Sequence, residues 1–258
     1  MDGLIGHTGF VGATLLRQRS FDALYRSTNI AEIEGREFGT LVCSGAPAQK
    51  WIAERDPAAD IANLESLARR LDTVRAQQVI LVSTVDVFPD SRGMDEQSPI
   101  EAARLTAYGR NRLWLERHIA GRFERTLIVR LPGLVGPGLR KNAIFDLLND
   151  NNLHMIDGRG VFQFYPMVNL WSDLSKALAA ALSVVHLPGE PISVAEIAAQ
   201  GFGRPFDNTL ERPPAQYDLQ TRHAEVLGGA GRYLYSKRES LMAIRAYAQS
   251  EPRSASSY

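Results

Sequence analysis

Cysteine is almost absent from this sequence, since Cys43 is the only one among 258 residues. A single cysteine cannot form an internal disulfide, which is typical of a protein kept in a reducing cytoplasm. Cys43 stands at the end of an apolar run, which favours a small core residue over a catalytic nucleophile. We also expect no signal peptide, because a loop glycine already stands at residue 6. The sequence therefore predicts a cytoplasmic protein.

The sequence also lacks a long apolar segment, an excess of charge and a metal-binding motif. Its longest apolar stretches, at 79–85 and 177–185, are far shorter than the roughly 20 residues that cross a bilayer. Basic and acidic residues number 29 each, so no net field favours nucleic acid or an anionic membrane. The five histidines follow no H-x-x-x-H or H-E-x-x-H spacing. We therefore expect no metal site, no nucleic-acid partner and no membrane partner.

What the sequence does contain is a regular alternation of strand and helix signals. A hydrophobic content of 45% and a charged content of 22% are values of a globular protein. Short apolar runs, typical of buried parallel strands, stand at 4–5, 23–25, 41–43, 79–82 and 127–129. Helical patterns separate these runs, which predicts an α/β protein with a right-handed, doubly wound parallel sheet.

Two helices are especially well marked. Asp56 and Pro57 predict the start of a helix over 58–75, and a second helix is expected over 104–120, ended by Gly121. Each has one apolar face, so together they can cover one face of the sheet. Later patterns predict helices at 141–150, 168–183, 193–200 and 235–249, and the tail over 254–258 is expected to be disordered.

A glycine stands at every third position directly behind the first apolar run, in the segment Gly6-His7-Thr8-Gly9-Phe10-Val11-Gly12. The first glycine permits a tight turn, the second a close approach of backbone to a pyrophosphate, and the third close packing of helix on strand. Free N–H groups at the helix start can then face an anion. The pattern predicts a dinucleotide site, and its alternative is a purely structural turn.

Two segments in the middle of the chain carry side chains suited to catalysis: a tyrosine with an arginine, and a pair of hydroxyl residues. Tyr108 and Arg112 are four residues apart on a predicted helix, so their side chains share one face. A cation there is expected to lower the phenol's pKa toward the range of a general acid/base. Ser83 and Thr84 stand where the fourth strand ends, and a hydroxyl there can bind a substrate oxygen together with the tyrosine. The alternatives are a surface Tyr–Arg pair and an ordinary turn.

Four segments together resemble the extended short-chain dehydrogenases/reductases, the NAD(P)-dependent epimerase/dehydratase superfamily that acts on nucleotide sugars. They are the glycine segment, Ser83-Thr84-Val85-Asp86-Val87-Phe88, Tyr108-Gly109-Arg110-Asn111-Arg112, and Arg130-Leu131-Pro132-Gly133-Leu134-Val135-Gly136-Pro137-Gly138. The resemblance covers roughly residues 3–200. It implies a Rossmann domain over 1–160, completed by 163–185, and a small substrate-binding lobe over 186–258. It also implies a homodimer, paired through the helices at 58–75 and 104–120.

The resemblance implies roles for particular residues. Thr84 is the expected catalytic hydroxyl, Tyr108 the acid/base, and Arg112 the third catalytic residue. Expected cofactor contacts are Gly6, Thr8, Gly9, Phe10, Val11, Gly12, Arg26, Ser27, Ser44, Gly45, Ala46, Ser83, Tyr108, Arg112, Leu131, Pro132 and Gly133. Expected substrate contacts are Thr84, Asp86, Gly133 and Gln163.

The chain also departs from the family's pattern. Arg112 stands where the family has lysine, and Val85-Asp86 replaces the Asp-Glu pair of the dehydratases, which speaks against sugar dehydration. Arg26 and hydroxyl residues follow the second strand where NAD-binding members place an acid, which favours NADP, with NAD still possible. We therefore expect an NAD(P)-dependent epimerase or reductase acting on a sugar-like or nucleotide-sugar substrate. The alternative is a catalytically silent NADP(H)-binding sensor or scaffold.

Overall fold

The computed structural model describes residues 1–253, so the expected disordered tail lies outside the described residues. The strands are β1 (Gly3–Ile5), β2 (Ala23–Tyr25), β3 (Glu37–Cys43), β4 (Arg75–Thr84), β5 (Thr126–Leu131), β6 (Gly133–Val135), β7 (Val161–Phe162), β8 (Phe164–Pro166), β9 (Val184–His186) and β10 (Ile192–Ser193). The α-helices are α1 (Phe10–Gln18), α2 (Lys50–Arg55), α3 (Pro57–Leu71), α4 (Ala107–Arg122), α5 (Ala143–Asn149), α6 (Leu170–Ala179), α7 (Val194–Phe202), α8 (Ala224–Leu227) and α9 (Lys237–Ser250).

The chain divides into two compact units. The first contains residues 1–91, 96–131 and 170–186, and the second contains 92–95, 132–169 and the chain from 187 onward. These bounds differ from the predicted domains, because residues 132–160 group with the second unit. Residues 170–186 return to the first unit because β9 pairs with β5 and the backbone N–H of Trp171 donates to the Gln18 side chain.

The first unit is built on a six-stranded parallel sheet with the order β2-β1-β3-β4-β5-β9. This confirms the predicted Rossmann-type α/β fold. All five predicted strands are present, and β3 and β4 begin four residues earlier than their apolar runs suggest. The sixth strand, β9, was not predicted separately, because its three residues lie close behind a longer helical pattern.

One face of this sheet is covered by α3 and α4, as predicted. Their buried residues share one apolar cluster with alternate residues of the strands, including Leu64, Leu71, Leu115, Ile119, Leu41, Cys43, Val79, Leu81 and Ile128. The intervening strand residues, such as Leu4, Val42 and Ile80, are also buried and point to the other face. Because both faces of the sheet are buried, these strands appear in the sequence as continuous apolar runs.

The ends of α3 and α4 were predicted only in part. Asp56 caps α3 by accepting from the backbone N–H of Ala59 at 3.0 Å, with Pro57 in the first turn, as expected. α4 begins later than predicted, because Thr106 is its cap and leaves 104–105 outside the helix. The predicted end at Gly121 is wrong. The helix continues to Arg122, whose side chain donates to backbone carbonyls that follow α3.

The second unit has two small sheets, a parallel pair of β6 with β8 and an antiparallel pair of β7 with β10. Helices α7 and α9 contact each other, and each begins with a capping box, formed by Ser193 with Glu196 and by Ser236 with Glu239. The helices predicted at 193–200 and 235–249 are therefore present.

Two glycines of α4 make the packing of this helix testable. A Cβ on Gly109 would stand 2.1 Å from the backbone carbonyl oxygen of Asp86, whereas a Cβ on Gly121 would meet no atom of residues 1–253 within 4 Å apart from its own stretch of helix. Gly109→Ala should therefore lower the free energy of unfolding by about 1–3 kcal/mol through overpacking. Gly121→Ala, the matched control in the same helix, should be neutral or stabilise by about 0.5–1 kcal/mol. Urea unfolding of both variants checks this, and equal effects would contradict it.

Candidate active site

The glycine segment forms the turn that its spacing predicts. Gly6 has φ +84°, and its N–H donates to the carbonyl of Tyr25 at 2.8 Å. A Cβ on Gly12 would stand 2.2 Å from the carbonyl oxygen of Gly6, so only glycine lets α1 pack this closely on the turn. Gly9 is exposed, and among the described residues other than its chain neighbours an added Cβ would come nearest to the Gly6 carbonyl oxygen, at 3.4 Å. The geometry fits the three roles that the sequence suggests for these glycines.

This turn lies where the order of the strands reverses. β1 is flanked by β2 on one side and β3 on the other, which is the point at which open α/β sheets bind ligands. The first turn of α1 has no acidic residue, and Gly9 supplies no side-chain cap. Thr8, Phe10 and Val11 complete the turn and the helix start. Their backbone can therefore hold the diphosphate of a dinucleotide.

The segment behind β3 runs alongside this turn. Ser44 donates to the carbonyl of Ile5 from both its N–H, at 3.0 Å, and its hydroxyl, at 2.8 Å. A Cβ on Gly45 would stand 2.8 Å from Cγ2 of Ile5. Ser44, Gly45 and Ala46 thus lie at the carboxyl edge where they were expected, but the Ser44 hydroxyl is already used to tie β3 to β1.

Arg26 and Ser27 are exposed directly behind β2, at the same edge of the sheet. The backbone N–H of Arg26 donates to the side chain of Asn29 at 2.8 Å, and its Nε donates to the Thr28 hydroxyl at 2.9 Å. These contacts fix the loop and leave a cation beside hydroxyl groups. The arrangement is chemically suited to a phosphate.

Tyr108 and Thr84, the two predicted hydroxyl groups, are brought together at the end of β4. Tyr108 lies in the first turn of α4 and is 7% exposed, and the nearby Thr84 hydroxyl favours the phenolate and so acts to lower its pKa. The Tyr108 backbone N–H donates to Oε1 of Glu54 at 3.0 Å, so α2 helps to fix the start of α4. The start of α4, which carries Tyr108, is therefore held in place.

The pKa of Tyr108 is raised above its ordinary value, which overturns the expected lowering. Burial is the largest cause, because it disfavours the phenolate. The positive charge of Arg112 opposes it but does not outweigh it, while the negative charge of Asp86 adds to the rise. The phenol is consequently protonated at neutral pH.

Arg112 is bound within the protein and does not lie open for a cofactor ribose. The side chains of Arg112 and Asp60 are only 3% and 6% exposed. Two guanidinium nitrogens donate to the two carboxylate oxygens of Asp60 at 2.9 and 3.0 Å, and one of them also donates to the carbonyl of Pro47. The guanidinium lies over the Tyr108 ring, 4.4 Å from its centroid. The geometry is that of a residue that positions Tyr108, in place of the predicted ribose contact.

Ser83 does not present its hydroxyl to a cofactor either. Its Oγ donates to Oε1 of Glu116 at 2.5 Å, and Glu116 forms a buried ion pair with Arg130 at 2.7 Å. Arg130 in turn contacts Nε2 of His186 at 3.2 Å. Ser83, Arg130 and His186 are register partners on β4, β5 and β9, so the network crosses three neighbouring strands.

Three of the remaining predicted residues lie in different places. Leu131 ends β5 in the first unit, while Pro132 and Gly133 begin the second unit. A Cβ on Gly133 would stand 2.7 Å from the carbonyl oxygen of Gln163, so a side chain is excluded there. The backbone, rather than a side chain, is what Gly133 can offer to a ligand.

Gln163 does not fit the predicted substrate contact. It is 2% exposed, and its amide donates to the carbonyls of Gly189 and Leu219 and accepts from the Leu219 N–H. These bonds use both the donor and the acceptor end of the amide. Gln163 therefore ties together backbone segments of the second unit.

Sequence reasoning missed Lys50, Glu54 and Asp60, which contact the predicted site residues. Lys50 Nζ lies 2.7 Å from Oδ1 of Asp86, the predicted substrate contact, and Oδ2 of Asp86 lies 3.4 Å from the Thr84 hydroxyl. These residues come from α2 and α3, more than 30 positions from their partners. No local spacing signals such a pairing, because it depends on how the helices pack.

Two further expectations concern the whole described chain. Among residues 1–253, no cluster of histidine, cysteine, aspartate or glutamate has the arrangement to hold a metal ion. Within the same range, no helix combines the length and the apolar character needed to cross a bilayer. Cys43 is buried, and burial raises the pKa of its thiol to about 11, which agrees with a core residue.

The buried Arg112–Asp60 pair gives a prediction on stability. Arg112→Met leaves the Asp60 carboxylate buried without its cation and should lower the free energy of unfolding by about 3–5 kcal/mol. Adding Asp60→Leu removes that charge and should restore much of the loss. Urea unfolding measures both. Arg75→Met, which breaks an ion pair whose side chains are 80% and 68% exposed, is the control and should change little. A loss in the double variant equal to that of Arg112→Met would contradict the assignment.

No protein-family model matches the sequence, and a search of curated proteins also finds no match. Solved structures do match over nearly the whole chain. A dTDP-4-dehydrorhamnose reductase from Clostridium acetobutylicum has a TM-score of 0.71 at 17% identity, covering 96% of this chain and 99% of the other. A UDP-glucose 4-epimerase from Thermotoga maritima, solved with UDP-glucose, has a TM-score of 0.67 at 16% identity, with coverages of 96% and 99%. The protein RMD from Pseudomonas aeruginosa, complexed with NADPH, has a TM-score of 0.68 at 16% identity, with the same coverages. The resemblance drawn from the sequence is thereby confirmed at the level of the fold: the chain has the fold of the extended short-chain dehydrogenase/reductase family.

Proposed function

We propose that this protein is an NADP(H)-dependent oxidoreductase of the reductase or epimerase type, acting on a carbonyl or carbinol carbon of a sugar-like or nucleotide-sugar substrate. The observation that carries the proposal is that Tyr108, in the first turn of α4, and the Thr84 hydroxyl, at the end of β4, lie close enough for that hydroxyl to act on the pKa of the phenol. The same unit carries the glycine turn at its strand-order reversal. The first unit would hold the cofactor.

The chemistry of each residue suggests its role in the reaction. A bound nicotinamide supplies or accepts the hydride. Thr84 donates a hydrogen bond to the substrate oxygen and orients it, and Tyr108 transfers the proton that balances the hydride. Since burial keeps the Tyr108 phenol protonated at neutral pH, Tyr108 is set to donate a proton, which favours reduction of a carbonyl. Arg112 holds the ring of Tyr108 in place through its own bonds to Asp60.

Support for a dinucleotide comes from the neighbours in structure as well as from the turn. One was solved with NADPH, and another, MoeE5, was solved with UDP-glucose and NAD. The predicted homodimer through α3 and α4 remains a proposal, as does the cytoplasmic location.

Cofactor choice can be tested through Arg26. A 2′-phosphate would gain a charge-assisted bond there, so calorimetric titration should show tighter binding of NADPH than of NADH. Arg26→Ala should narrow that difference, whereas Arg36→Ala, which removes an exposed arginine further along the chain, should leave it unchanged. Equal affinities for the two cofactors in the unaltered protein would contradict the preference for NADP.

The acid/base role can be tested by removing one hydroxyl. Tyr108→Phe should lower turnover of a carbonyl substrate by roughly 10² to 10⁴, the usual contribution of a positioned acid/base, with NADPH affinity nearly intact. Cofactor oxidation in a screen of sugar-like ketones and aldehydes measures it. Unchanged turnover in Tyr108→Phe would refute the role. If no compound in the screen oxidises the cofactor although NADPH binds, the silent sensor or scaffold becomes the better hypothesis.

A further inference from the structure

Three polar side chains form a row where β4 ends. Thr84 is the last residue of β4, Asp86 lies in the short turn behind it, and Lys50 is the first residue of α2. Oδ2 of Asp86 lies 3.4 Å from the Thr84 hydroxyl oxygen, and Oδ1 accepts from Lys50 Nζ at 2.7 Å. The side chains of Asp86 and Lys50 are 21% and 44% exposed, and Thr84 is partly exposed. A ligand can therefore reach all three.

Backbone packing fixes this row beside the start of α4. A Cβ on Gly109 would stand 2.1 Å from the carbonyl oxygen of Asp86, so the first turn of α4 lies directly against the Asp86 backbone. Glu54 follows Lys50 by about one turn of α2 and accepts from the backbone N–H of Tyr108 at 3.0 Å. One short helix thus contacts both the turn that contains Asp86 and the helix start that carries Tyr108.

The Thr84 hydroxyl is arranged to donate its hydrogen to a ligand. Its oxygen already accepts from the backbone N–H of Asp86 at 3.2 Å. Its own contact with Oδ2 of Asp86, at 3.4 Å, is long for a hydroxyl that donates to a carboxylate, where about 2.5–2.7 Å is usual. The hydrogen is therefore held weakly and can turn to a ligand oxygen that only accepts. A carbonyl oxygen is such an acceptor.

The ion pair of Asp86 with Lys50 is suited to a different ligand group. Because the two opposite charges balance, the pair has no net charge with which to attract an ionic group. A carboxylate only accepts hydrogen bonds, and an ammonium only donates them. A neutral group that bridges the two must therefore both donate and accept, which a hydroxyl group does. Once Thr84 donates to a ligand, Oδ2 of Asp86 gains from such a donor in its place.

We propose that Asp86 and Lys50 recognise a hydroxyl group on the carbon atom next to the substrate carbonyl, so that the site selects α-hydroxy ketones and aldehydes. This selectivity rests on the proposed function and narrows its substrate class. The Thr84 oxygen and Oδ2 of Asp86 are 3.4 Å apart, a separation that oxygens on neighbouring carbon atoms can bridge. A sugar ring in which one carbinol has become a carbonyl has this arrangement. Asp86 and Lys50 bind and orient the substrate and transfer no proton.

Two ketones that differ by one hydroxyl group test this selectivity. Oxan-4-one has a ring of the same size as a pyranose, and its α-hydroxy derivative adds a hydroxyl on the carbon next to the carbonyl. Their affinities are measured by saturation-transfer NMR in the presence of NADP⁺, which cannot reduce a ketone. The unaltered protein should bind one enantiomer of the hydroxy ketone roughly 10- to 100-fold more tightly than oxan-4-one, as expected for hydrogen bonds to charged groups.

Variants of the ion pair show which groups read the hydroxyl. Asp86→Ala and Lys50→Met each remove one partner and should bring the two affinities to within about threefold of each other. Lys50→Arg keeps a charged donor beside Asp86 and should retain most of the preference. Arg55→Met, which removes an exposed cation from the same short helix, is the matched control and should bind both ketones like the unaltered protein.

Three results would overturn the proposal. The first is equal affinity of the unaltered protein for the two ketones, or binding of neither. The second is a Lys50→Met variant that weakens both ketones alike, because a purely structural ion pair would act on the carbonyl site as a whole. The third is a lost preference in Arg55→Met, which would show a general disturbance of α2. Lys50 and Arg55 are both accessible to solvent, so their variants are expected to fold.

Failure of this selectivity is distinguishable from failure of the proposed function. Equal affinities for the two ketones would still leave an oxidoreductase that acts on carbonyl groups without reading the neighbouring hydroxyl, and oxidation of NADPH would reveal it. Conversely, unchanged turnover in Tyr108→Phe would refute the acid/base role, but it would leave the ratio of the two affinities as it is, because binding in the presence of NADP⁺ involves neither proton nor hydride transfer.

Discussion

The buried ion pair of Arg112 with Asp60 holds the two helices that cover one face of the sheet, and the position of Tyr108 depends on it. Asp60 lies near the start of α3 and Arg112 near the start of α4, so the pair joins the ends of the helices that lie next to the carboxyl edge of the sheet. Asp60 also accepts from Asn111, and the guanidinium lies on the Tyr108 ring. A buried pair of this kind is costly to break on one side only, which makes it suitable for fixing one arrangement.

The same edge of the sheet carries a second buried network, made by Ser83, Glu116, Arg130 and His186. The hydroxyl groups of two adjacent residues on β4 therefore contact different side chains. Ser83 is bonded to Glu116 in this network, whereas the Thr84 hydroxyl lies near the Tyr108 phenol. Both neighbouring groups belong to α4, Tyr108 in its first turn and Glu116 about two turns further on, so two adjacent hydroxyls that look alike in sequence meet different groups.

These contacts explain what an arginine does at position 112, where the resemblance leads us to expect a lysine. An arginine can bind Asp60 through two nitrogens and the Pro47 carbonyl at once, which a single ammonium group cannot match in geometry. The charge of Arg112 still acts to lower the pKa of Tyr108, but burial of the phenol is the larger effect and raises it. Lys50 brings the cation with solvent access from a different helix.

The sequence by itself determined the alternation of buried strands and amphipathic helices, the glycine turn and the chain order of Thr84, Tyr108 and Arg112. Each of these depends on local spacing, which steric rules and helical or strand periodicity make readable. Only the tertiary structure decided that Arg112 binds Asp60, that Ser83 binds Glu116, that Gln163 is used by backbone groups and that Lys50 meets Asp86. These partners are far apart in sequence, and the balance between burial and charge at Tyr108 depends on all the groups that packing brings around it. A periodic pattern predicts which face of a helix is buried, but it does not predict which charged residues will contact that face.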